Sequence, residues 1–181
     1  METLRVMLVD DHAILRQGLV RLINQEPDLE ICGEAEEGPK AFDMVSKISP
    51  DVVVIDISLK GSNGIELVKN LKARWPNLPT LVLSMHDESL YAERSLRAGA
   101  MGYVMKHEPG KTVKNAIHRV LSGEMYLSER MSSTIISKFM RGQGDRPASP
   151  LESLSDRELA VFRMLGQGKG TRQIAKDLAV T

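Results

Sequence analysis

Short apolar segments that alternate with amphipathic helical stretches constrain the fold of this chain more than any other feature. Each segment is rich in Val, Ile and Leu and is too short for an ordinary helix, so each predicts a strand buried on both faces. Strands and helices that alternate in this way predict βαβ units with right-handed crossovers. We therefore predict an α/β fold with a doubly wound, five-stranded parallel sheet. The predicted strands are LRVMLV (4–9), LEICGEA (29–35), DVVVID (51–56), TLVLS (80–84) and GYVMK (102–106).

The alternation of strands and helices stops near Gly123. Residues 125–142, MYLSERMSSTIISKFMRG, have the pattern of one more amphipathic helix. Residues 143–153, QGDRPASPLES, have the Pro, Ser and Gly content of a linker. The composition therefore predicts a boundary between the α/β domain and a smaller C-terminal unit.

Two further helices are predicted after this linker. Ser155 and Glu158 have the spacing of a capping box, which predicts a helix that runs through Leu165 and ends at Gly166. Thr171 is the predicted N-cap of the next helix, RQIAKDLAV.

Composition limits the classes of protein to which the chain can belong. Its 181 residues are 42% hydrophobic, which suffices for one full domain and a small second one. A formal net charge of zero argues against a basic field over the whole chain for nucleic acid or an anionic membrane. The single cysteine, Cys32, has no partner for an internal disulfide, and no apolar run approaches the roughly 20 residues of a membrane span. We expect a soluble, cytoplasmic protein without a signal peptide.

Polar side chains stand at the carboxyl ends of four of the five predicted strands. Asp10 and Asp11 follow the first strand, Asp56 ends the third, Ser84 ends the fourth and Lys106 ends the fifth. In a doubly wound sheet, ligands bind outside the carboxyl ends of the strands. We expect the fold to bring three carboxylates, a hydroxyl and an ammonium group into one cleft.

This set of side chains favours a particular chemistry. Three clustered carboxylates repel one another unless a cation joins them, and hard oxygen ligands open to water suit Mg²⁺. A metal beside a free carboxylate and a lysine suits a phosphoryl group, because the cations neutralise its oxygens, a hydroxyl donates to it and the carboxylate attacks it. Each residue alone is more often a turn, cap or solvated side chain, so the prediction depends on their joint occurrence.

The motifs resemble those of two-component response regulators. The receiver-domain motifs are matched in order by VMLVDDHAILRQGL (6–19), VVVIDISLKGSNGIEL (52–67), LVLSMHD (81–87) and AGAMGYVMK (98–106). LSDRELAVFRMLGQGKGTRQIAKDLAV (154–180) resembles the first part of a LuxR-type helix-turn-helix domain. Together they resemble the NarL/FixJ subfamily, which implies a flavodoxin-like receiver with strand order 2-1-3-4-5, followed by an all-α output domain.

The resemblance implies a role for each acidic residue of the cleft. Asp56 matches the phosphoacceptor for a sensor histidine kinase. Asp10 and Asp11 match the residues that hold Mg²⁺ together with Asp56 and the backbone carbonyl of Ser58. The chemistry implied is self-catalysed phosphoryl transfer and slow autodephosphorylation, not turnover of a separate substrate.

The resemblance also implies a conformational switch. Ser84 and Lys106 match the residues that bind the phosphoryl group, and Tyr103 matches the switch aromatic. Phosphorylation adds about −1.5 to −2 charge. If Ser84 moves to meet it, an inward Tyr103 ring can fill the vacated space, which is a population shift biased by a local charge.

The sequence departs from the family pattern, or adds to it, at a few positions. Lys60 stands where the loop after the phosphoacceptor commonly has a proline. Ser58 and His86 flank the expected path of an attacking water, so we expect them to tune the lifetime of the phosphoryl group, in a direction that the sequence does not give. We expect the other histidines, His12, His107 and His118, to be solvated side chains.

The resemblance divides the chain into three parts. Residues 1–124 are expected to form the receiver domain, 125–153 a linker helix and flexible linker, and 154–181 the first part of the helix-turn-helix domain. In LuxR-type domains the recognition helix comes third, and it would begin near Thr181. We therefore expect a chain truncated before that helix, with DNA and a phosphorylation-dependent homodimer belonging to the parent regulator.

Other functions of a chain with this fold need residues that can be checked in the sequence. An aspartate-nucleophile phosphatase of similar fold would need an acid at Ser58, to give its D-x-D pattern. A flavodoxin-like flavin carrier would need a Ser/Thr/Gly phosphate loop in place of DDHA at residues 10–13. A receiver that acts only through protein contacts remains an alternative.

Overall fold

A computed structural model describes residues 3–140, 151 and 153–178 of the chain. The described strands are β1 (Leu4–Val9), β2 (Leu29–Ala35), β3 (Val52–Ile55), β4 (Ser58–Leu59), β5 (Ser62–Asn63), β6 (Thr80–Ser84) and β7 (Gly102–Met105). The described helices are α1 (Ala13–Ile23), α2 (Gly38–Ile48), α3 (Gly64–Arg74), α4 (Glu88–Ala98), α5 (Gly110–Leu121), α6 (Glu129–Met140), α7 (Asp156–Gly166) and α8 (Thr171–Asp177).

The five long strands form one parallel sheet in the order β2-β1-β3-β6-β7. Because β6 and β7 are the fourth and fifth of the predicted strands, this is the predicted order 2-1-3-4-5. The predicted doubly wound fold is confirmed. Parallel strands place all their carboxyl ends at one edge of the sheet, which is the edge where the polar residues were expected to meet.

The sheet is covered by helices on both faces. Side chains such as Val54 and Leu83 join α1 and α5 in one apolar core, while α2, α3 and α4 pack beside one another along the chain. All four residues of β3 are buried, as expected for a central strand of such a sheet. Full burial of a side chain such as Ile55 stabilises the fold by about 1.5–3 kcal/mol relative to exposure.

A short antiparallel hairpin follows β3 and was not predicted. Strands β4 and β5 have two residues each, and Ser58 pairs with Asn63. Two-residue strands are too short for a periodic pattern to indicate them. The hairpin ends at Asn63, whose side chain accepts a hydrogen bond from the Ile65 N–H and caps α3.

One apolar residue of α1 lies outside the buried face of the helix. Leu19 and Ile23 are buried and Leu15 is partly buried, but Ile14 is 89% exposed. With 100° between successive helical residues, Ile14 lies to one side of the stripe formed by the others.

The structure also corrects the start of the linker helix, predicted at residue 125. The Tyr126 N–H donates to the Met101 carbonyl and its own carbonyl accepts from the Tyr103 N–H, at 2.9 and 3.0 Å. Tyr126 thus pairs with the edge strand β7 in an extended conformation, and α6 begins only at Glu129. Most of the predicted flexible linker, 143–153, lies outside the described residues.

The chain divides into two units, Met1–Ser128 and Glu129–Thr181. In the second unit, Ser155 and Glu158 form the predicted capping box at the start of α7. The N-cap of α8 is Gly170 rather than Thr171, because Gly170 has the extended backbone and Thr171 is already helical. Within the part of the chain that the structure describes, no helix has the length and apolar character needed to cross a membrane.

Candidate functional site

The carboxyl edge of the sheet brings a lysine between two carboxylates. The Lys106 Nζ lies 2.7 Å from Asp10 Oδ2 and 2.7 Å from Asp56 Oδ2. The three side chains are between 1% and 3% exposed. Strands β1, β3 and β7 end at this point, so the parallel topology places residues together that are up to 96 positions apart in the chain.

Asp11 and His12 complete the wall of the site next to β1. The His12 Nδ1 lies 2.7 Å from Asp11 Oδ1 and 3.3 Å from Asp10 Oδ1. His12 was expected to be a solvated side chain, and it is about half exposed, but its ring lies against the acidic cluster. Adjacent acids give no periodic signal that would have indicated this contact.

Burial changes the acidity of Asp56. Removal of the carboxylate from water raises its pKa from 3.8 to about 6, although the Lys106 ammonium acts in the opposite direction and Asp10 reinforces the rise. Asp56 is thus mostly ionised near neutral pH, and its surroundings neutralise its negative charge only in part.

The residues at this edge fit a divalent cation. Ligand atoms of Asp10, Asp11, His12 and Asp56 all lie within 4.8 Å of one another. Two buried oxygens, Asp10 Oδ2 and Asp11 Oδ1, have no aligned hydrogen-bond donor among the described residues, although cationic or imidazole nitrogens lie near both. Carboxylate oxygens with unused acceptor capacity and a surplus of negative charge are the donors that a hard cation such as Mg²⁺ prefers.

Ser84 and Tyr103 lie beside this acidic cluster and are both buried. The Ser84 Oγ accepts a hydrogen bond from the His86 N–H at 3.1 Å. The Tyr103 hydroxyl donates to the His86 carbonyl at 2.6 Å. Burial raises the pKa of Tyr103 far above its usual range, and a hydrogen bond with Ser84 works against that rise. The ring therefore occupies the inward position expected of a switch aromatic.

Ser58 and His86 meet on the outer side of the site. The Ser58 Oγ and the His86 Nε2 are hydrogen-bonded at 2.7 Å. The His86 ring also packs against the Tyr91 ring, with 4.9 Å between the ring centroids. The hairpin of β4 and β5 holds Ser58 in this place, so the two residues that the sequence placed near the site do contact each other.

Gly64 supports the site and was missed by the sequence analysis. A Cβ atom at this position would lie 2.0 Å from the Asp56 carbonyl oxygen, so only glycine lets α3 begin this close to the end of β3. The Gly64 N–H donates to the Ile57 carbonyl at 2.8 Å. The signal that could have found it is a glycine at the first helical position after an Asp-containing strand end.

Comparison with known proteins identifies the family. Residues 6–118 match the family model of the response regulator receiver domain, and residues 152–181 match that of the bacterial regulatory proteins of the luxR family. The chain therefore belongs to the response regulators, and within them to the NarL/FixJ type, in which a receiver precedes a LuxR-type domain. This confirms the resemblance inferred from the motifs.

Individual relatives agree with this assignment. The oxygen regulatory protein NreC of Staphylococcus carnosus is 30% identical over 182 residues, which cover 98% of this chain and 84% of that protein. The transcriptional regulatory protein DegU of Brevibacillus brevis is 29% identical over 191 residues, covering 98% of this chain and 81% of that protein. A LuxR-family response regulator from Aurantimonas sp. SI85-9A1 superimposes with a TM-score of 0.71 at 33% identity, covering 77% of this chain and 99% of that chain. All three relatives are regulatory proteins.

Proposed function

We propose that this response regulator is a phosphorylation switch in which Asp56 accepts a phosphoryl group from a sensor histidine kinase and thereby controls transcription. The observation that carries the proposal is the ion-pair set at the carboxyl edge of the sheet. There, Lys106 lies 2.7 Å from Asp56 and 2.7 Å from Asp10, and all three side chains are buried. Such a set provides a nucleophilic carboxylate and a fixed cation for the oxygens of an incoming phosphoryl group.

The proposed transfer moves a phosphoryl group from a histidine of the kinase to Asp56. A carboxylate oxygen of Asp56 attacks the phosphorus of the kinase phosphohistidine. The P–O bond to Asp56 forms as the P–N bond breaks, and the leaving imidazole takes up a proton. With its pKa raised to about 6, Asp56 is still mostly ionised near neutral pH and is more basic than an ordinary aspartate.

Mg²⁺ is the proposed cofactor of this transfer. We assign its ligands to Asp10, Asp11, Asp56 and the backbone carbonyl of Ser58, because the acidic side chains cluster and two of their buried oxygens have acceptor capacity to spare. When bound, the ion supplies positive charge that offsets the negative charge of the carboxylates and of the phosphoryl oxygens. Lys106 orients and neutralises the phosphoryl group from the other side.

Ser84 and Tyr103 are the proposed reporters of phosphorylation. The Ser84 hydroxyl donates to a phosphoryl oxygen, and the Tyr103 ring stays inward, with its hydroxyl bonded to the His86 carbonyl. The structure already has the Tyr103 ring inward, so this conformation is accessible without a phosphoryl group. We propose that phosphorylation raises the population of this conformation. The surface that responds is formed by α4 and β7, which pack together.

The hydrogen bond between Ser58 and His86 is proposed to set the lifetime of the phosphoryl group. By the family pattern both side chains flank the expected path of an attacking water, and they are hydrogen-bonded to each other. Their mutual bond restricts the positions that either can take up relative to that water.

The domain division is proposed from the same family pattern. Residues 1–124 form the receiver, 125–153 the linker helix and linker, and 154–181 belong to the LuxR-type domain. That domain supports DNA as a partner and transcription as the output. A phosphorylation-dependent homodimer and a cytoplasmic location complete the proposal.

The test is the intact mass of the protein after incubation with acetyl phosphate and Mg²⁺. We expect one phosphoryl adduct in the wild type, sensitive to hydroxylamine, and none in D56N. D51N is the matched control, because Asp51 lies at the other end of the same strand and accepts a hydrogen bond from the Arg5 N–H. An adduct in folded D56N, or none in folded wild type with Mg²⁺, would overturn the proposal.

A further inference from the structure

Arg16 connects three segments of the receiver around the acidic cluster. Its Nη1 donates to the Asp10 backbone carbonyl at 2.6 Å, its Nε to Glu34 Oε2 at 3.1 Å and its Nη2 to Glu36 Oε1 at 2.9 Å. The Arg16 side chain is 12% exposed. One guanidinium on α1 thus joins the end of β1 to the end of β2 and to the turn that follows it.

The contact with Asp10 bears directly on the direction of the neighbouring carboxylates. The Asp10 carbonyl belongs to the planar peptide that links Asp10 to Asp11, so fixing that carbonyl fixes the plane from which the Asp11 side chain departs. Two other hydrogen bonds hold this turn, from the Asp10 N–H to the Ala35 carbonyl at 3.0 Å and from the His12 N–H to Asp10 Oδ1 at 2.8 Å. Neither of them involves the peptide that links Asp10 to Asp11. The helix that follows, α1, begins at Ala13, and its N-cap residue His12 makes no side-chain capping hydrogen bond.

We infer that Arg16 is a positioning residue, which holds the turn at Asp10 and Asp11 so that both carboxylates face the cation site. The inference rests on the proposed function, since it assumes that these carboxylates bind Mg²⁺. It extends the set of site residues to one that touches neither the metal nor the phosphoryl group.

The charge of Arg16 and its positioning contact predict opposite effects on Mg²⁺ affinity when the residue is replaced. This difference makes the inference testable. A guanidinium close to an acidic cluster repels Mg²⁺, so its charge alone predicts that a neutral residue would tighten metal binding. Loss of the positioning contact predicts weaker binding. Glu34 and Glu36 already offset the guanidinium charge at short distance, which favours the positional effect.

A lysine is not expected to replace this arginine. The planar guanidinium donates in fixed directions to three acceptors on different segments, whereas a single ammonium is a point charge on a flexible stem. R16K therefore separates the charge of the side chain from its geometry.

The experiment measures the dissociation constant for Mg²⁺ on the full chain, by competition with Mn²⁺ followed by electron paramagnetic resonance. R16M removes the charge and keeps a stem that can pack, R16K keeps the charge, and R21M removes an exposed arginine from the same helix as the matched control. D11N serves as the reference for loss of a proposed ligand.

We expect R16M to weaken Mg²⁺ binding about tenfold, the size of effect usual for residues that orient metal ligands. R16K should be weakened in the same direction, and R21M should change little. The Mg²⁺ concentration for half-maximal phosphorylation by acetyl phosphate should rise with the dissociation constant, while the rate at saturating Mg²⁺ stays near that of wild type. Loss of a residue that only supports the fold would not raise the half-maximal Mg²⁺ concentration while leaving the rate at saturating Mg²⁺ unchanged.

The possible outcomes separate this inference from the proposed function. If wild type and D11N both fail to bind Mg²⁺, the metal site and the role of Arg16 fall together. If wild type binds Mg²⁺ and R16M binds it equally or more tightly, only the role of Arg16 is overturned. If R16M does not fold, R16K decides: wild-type affinity in R16K overturns the inference and weakened affinity supports it.

Discussion

Two clusters of acidic and basic side chains lie at opposite edges of the central sheet, and they differ in how their charges are satisfied. The first is the proposed phosphoacceptor site at the carboxyl edge. The second, here called the amino-edge cluster, consists of Glu26, Asp28, Lys114 and His118, and Asp28 immediately precedes β2. Both clusters have the spacing that a metal ion requires, so spacing does not distinguish them.

In the amino-edge cluster each acid has its own base. Lys114 pairs with Glu26, and the His118 Nε2 lies 3.0 Å from Asp28 Oδ2. These side chains are between 24% and 35% exposed, so water shares the charge. Such pairs contribute about 0–1 kcal/mol each. His118 was expected to be solvated, but it is partly buried and paired.

In the proposed phosphoacceptor site the negative charges outnumber the positive ones. Three carboxylates share Lys106 and the half-exposed His12, and Asp10 and Asp56 are almost fully buried. The comparison indicates that burial and imbalance, rather than the presence of acids, mark the functional site. The predictions below test this difference, beginning with the largest effect.

Loss of Lys106 should destabilise the protein far more than loss of Lys114 in the amino-edge cluster. K106M leaves two buried carboxylates without their cation, and we expect the free energy of unfolding to fall by about 3–5 kcal/mol near neutral pH. K114M should cost about 1 kcal/mol or less. Urea denaturation of both variants without divalent cations measures the difference.

Because Asp56 can take up a proton at lower pH, the cost of K106M should shrink at about pH 5. Equal costs for K106M and K114M at neutral pH would mean that the two clusters are equivalent and would contradict the comparison.

Removal of one negative charge from the buried group of carboxylates should stabilise the metal-free protein. The pKa of Asp56 is about 6 in the folded state against 3.8 ordinarily, so the folded state binds the proton more tightly than the unfolded state does. Stability is therefore lost as the pH rises from about 4 to 6 and stays low above that, by up to about 3 kcal/mol in total. D56N lacks this loss, so we expect it to be more stable than wild type by about 1–3 kcal/mol above pH 6.

Urea denaturation of D56N and wild type across this pH range checks the prediction. The advantage of D56N should vanish below about pH 3, where Asp56 is protonated in both the folded and the unfolded state. D51N retains Asp56, so it should show the same loss of stability between about pH 4 and 6 as wild type. A D56N variant less stable than wild type at neutral pH would show that the site is electrostatically satisfied without a metal.

The smallest effect is expected at the amino-edge cluster. D28N removes the acid that faces His118, and we expect a loss of about 1 kcal/mol or less at low salt. Screening at about 1 M salt shortens the Debye length to roughly 3 Å and should remove most of that loss. Thermal unfolding of D28N and wild type at low and high salt measures it. A loss of stability in D28N that persists in high salt would indicate a buried, specific interaction. It would weaken the contrast between the two clusters.

The fold and the chemical groups of the site could be predicted because both follow from topology. The positions of Asp56, Ser84 and Lys106 at strand ends are visible in the sequence, and a parallel sheet brings such ends to one edge. The Tyr103 ring is buried, and its role as a switch aromatic stays a prediction. The roles of these residues remain proposals that the experiments above address.

The contacts that support the site could not be predicted, because no local pattern encodes them. Arg16 meets Glu34 and Glu36 across about 20 residues of chain, and each of the three reads as an ordinary surface charge. Tyr126 reads as part of a helix until its backbone pairs with β7. Such contacts depend on the register of packed elements, which periodicity alone does not fix.

The central claim is tested most directly by locating the phosphorylated residue. Borohydride reduces an aspartyl phosphate to homoserine, and trypsin releases residues 48–60, ISPDVVVIDISLK, which contain both Asp51 and Asp56. After treatment with acetyl phosphate and Mg²⁺, fragmentation of this peptide should place homoserine at position 56 and leave Asp51 intact. Homoserine at Asp51, at Asp10 or at Asp11, with Asp56 unchanged, would contradict the account.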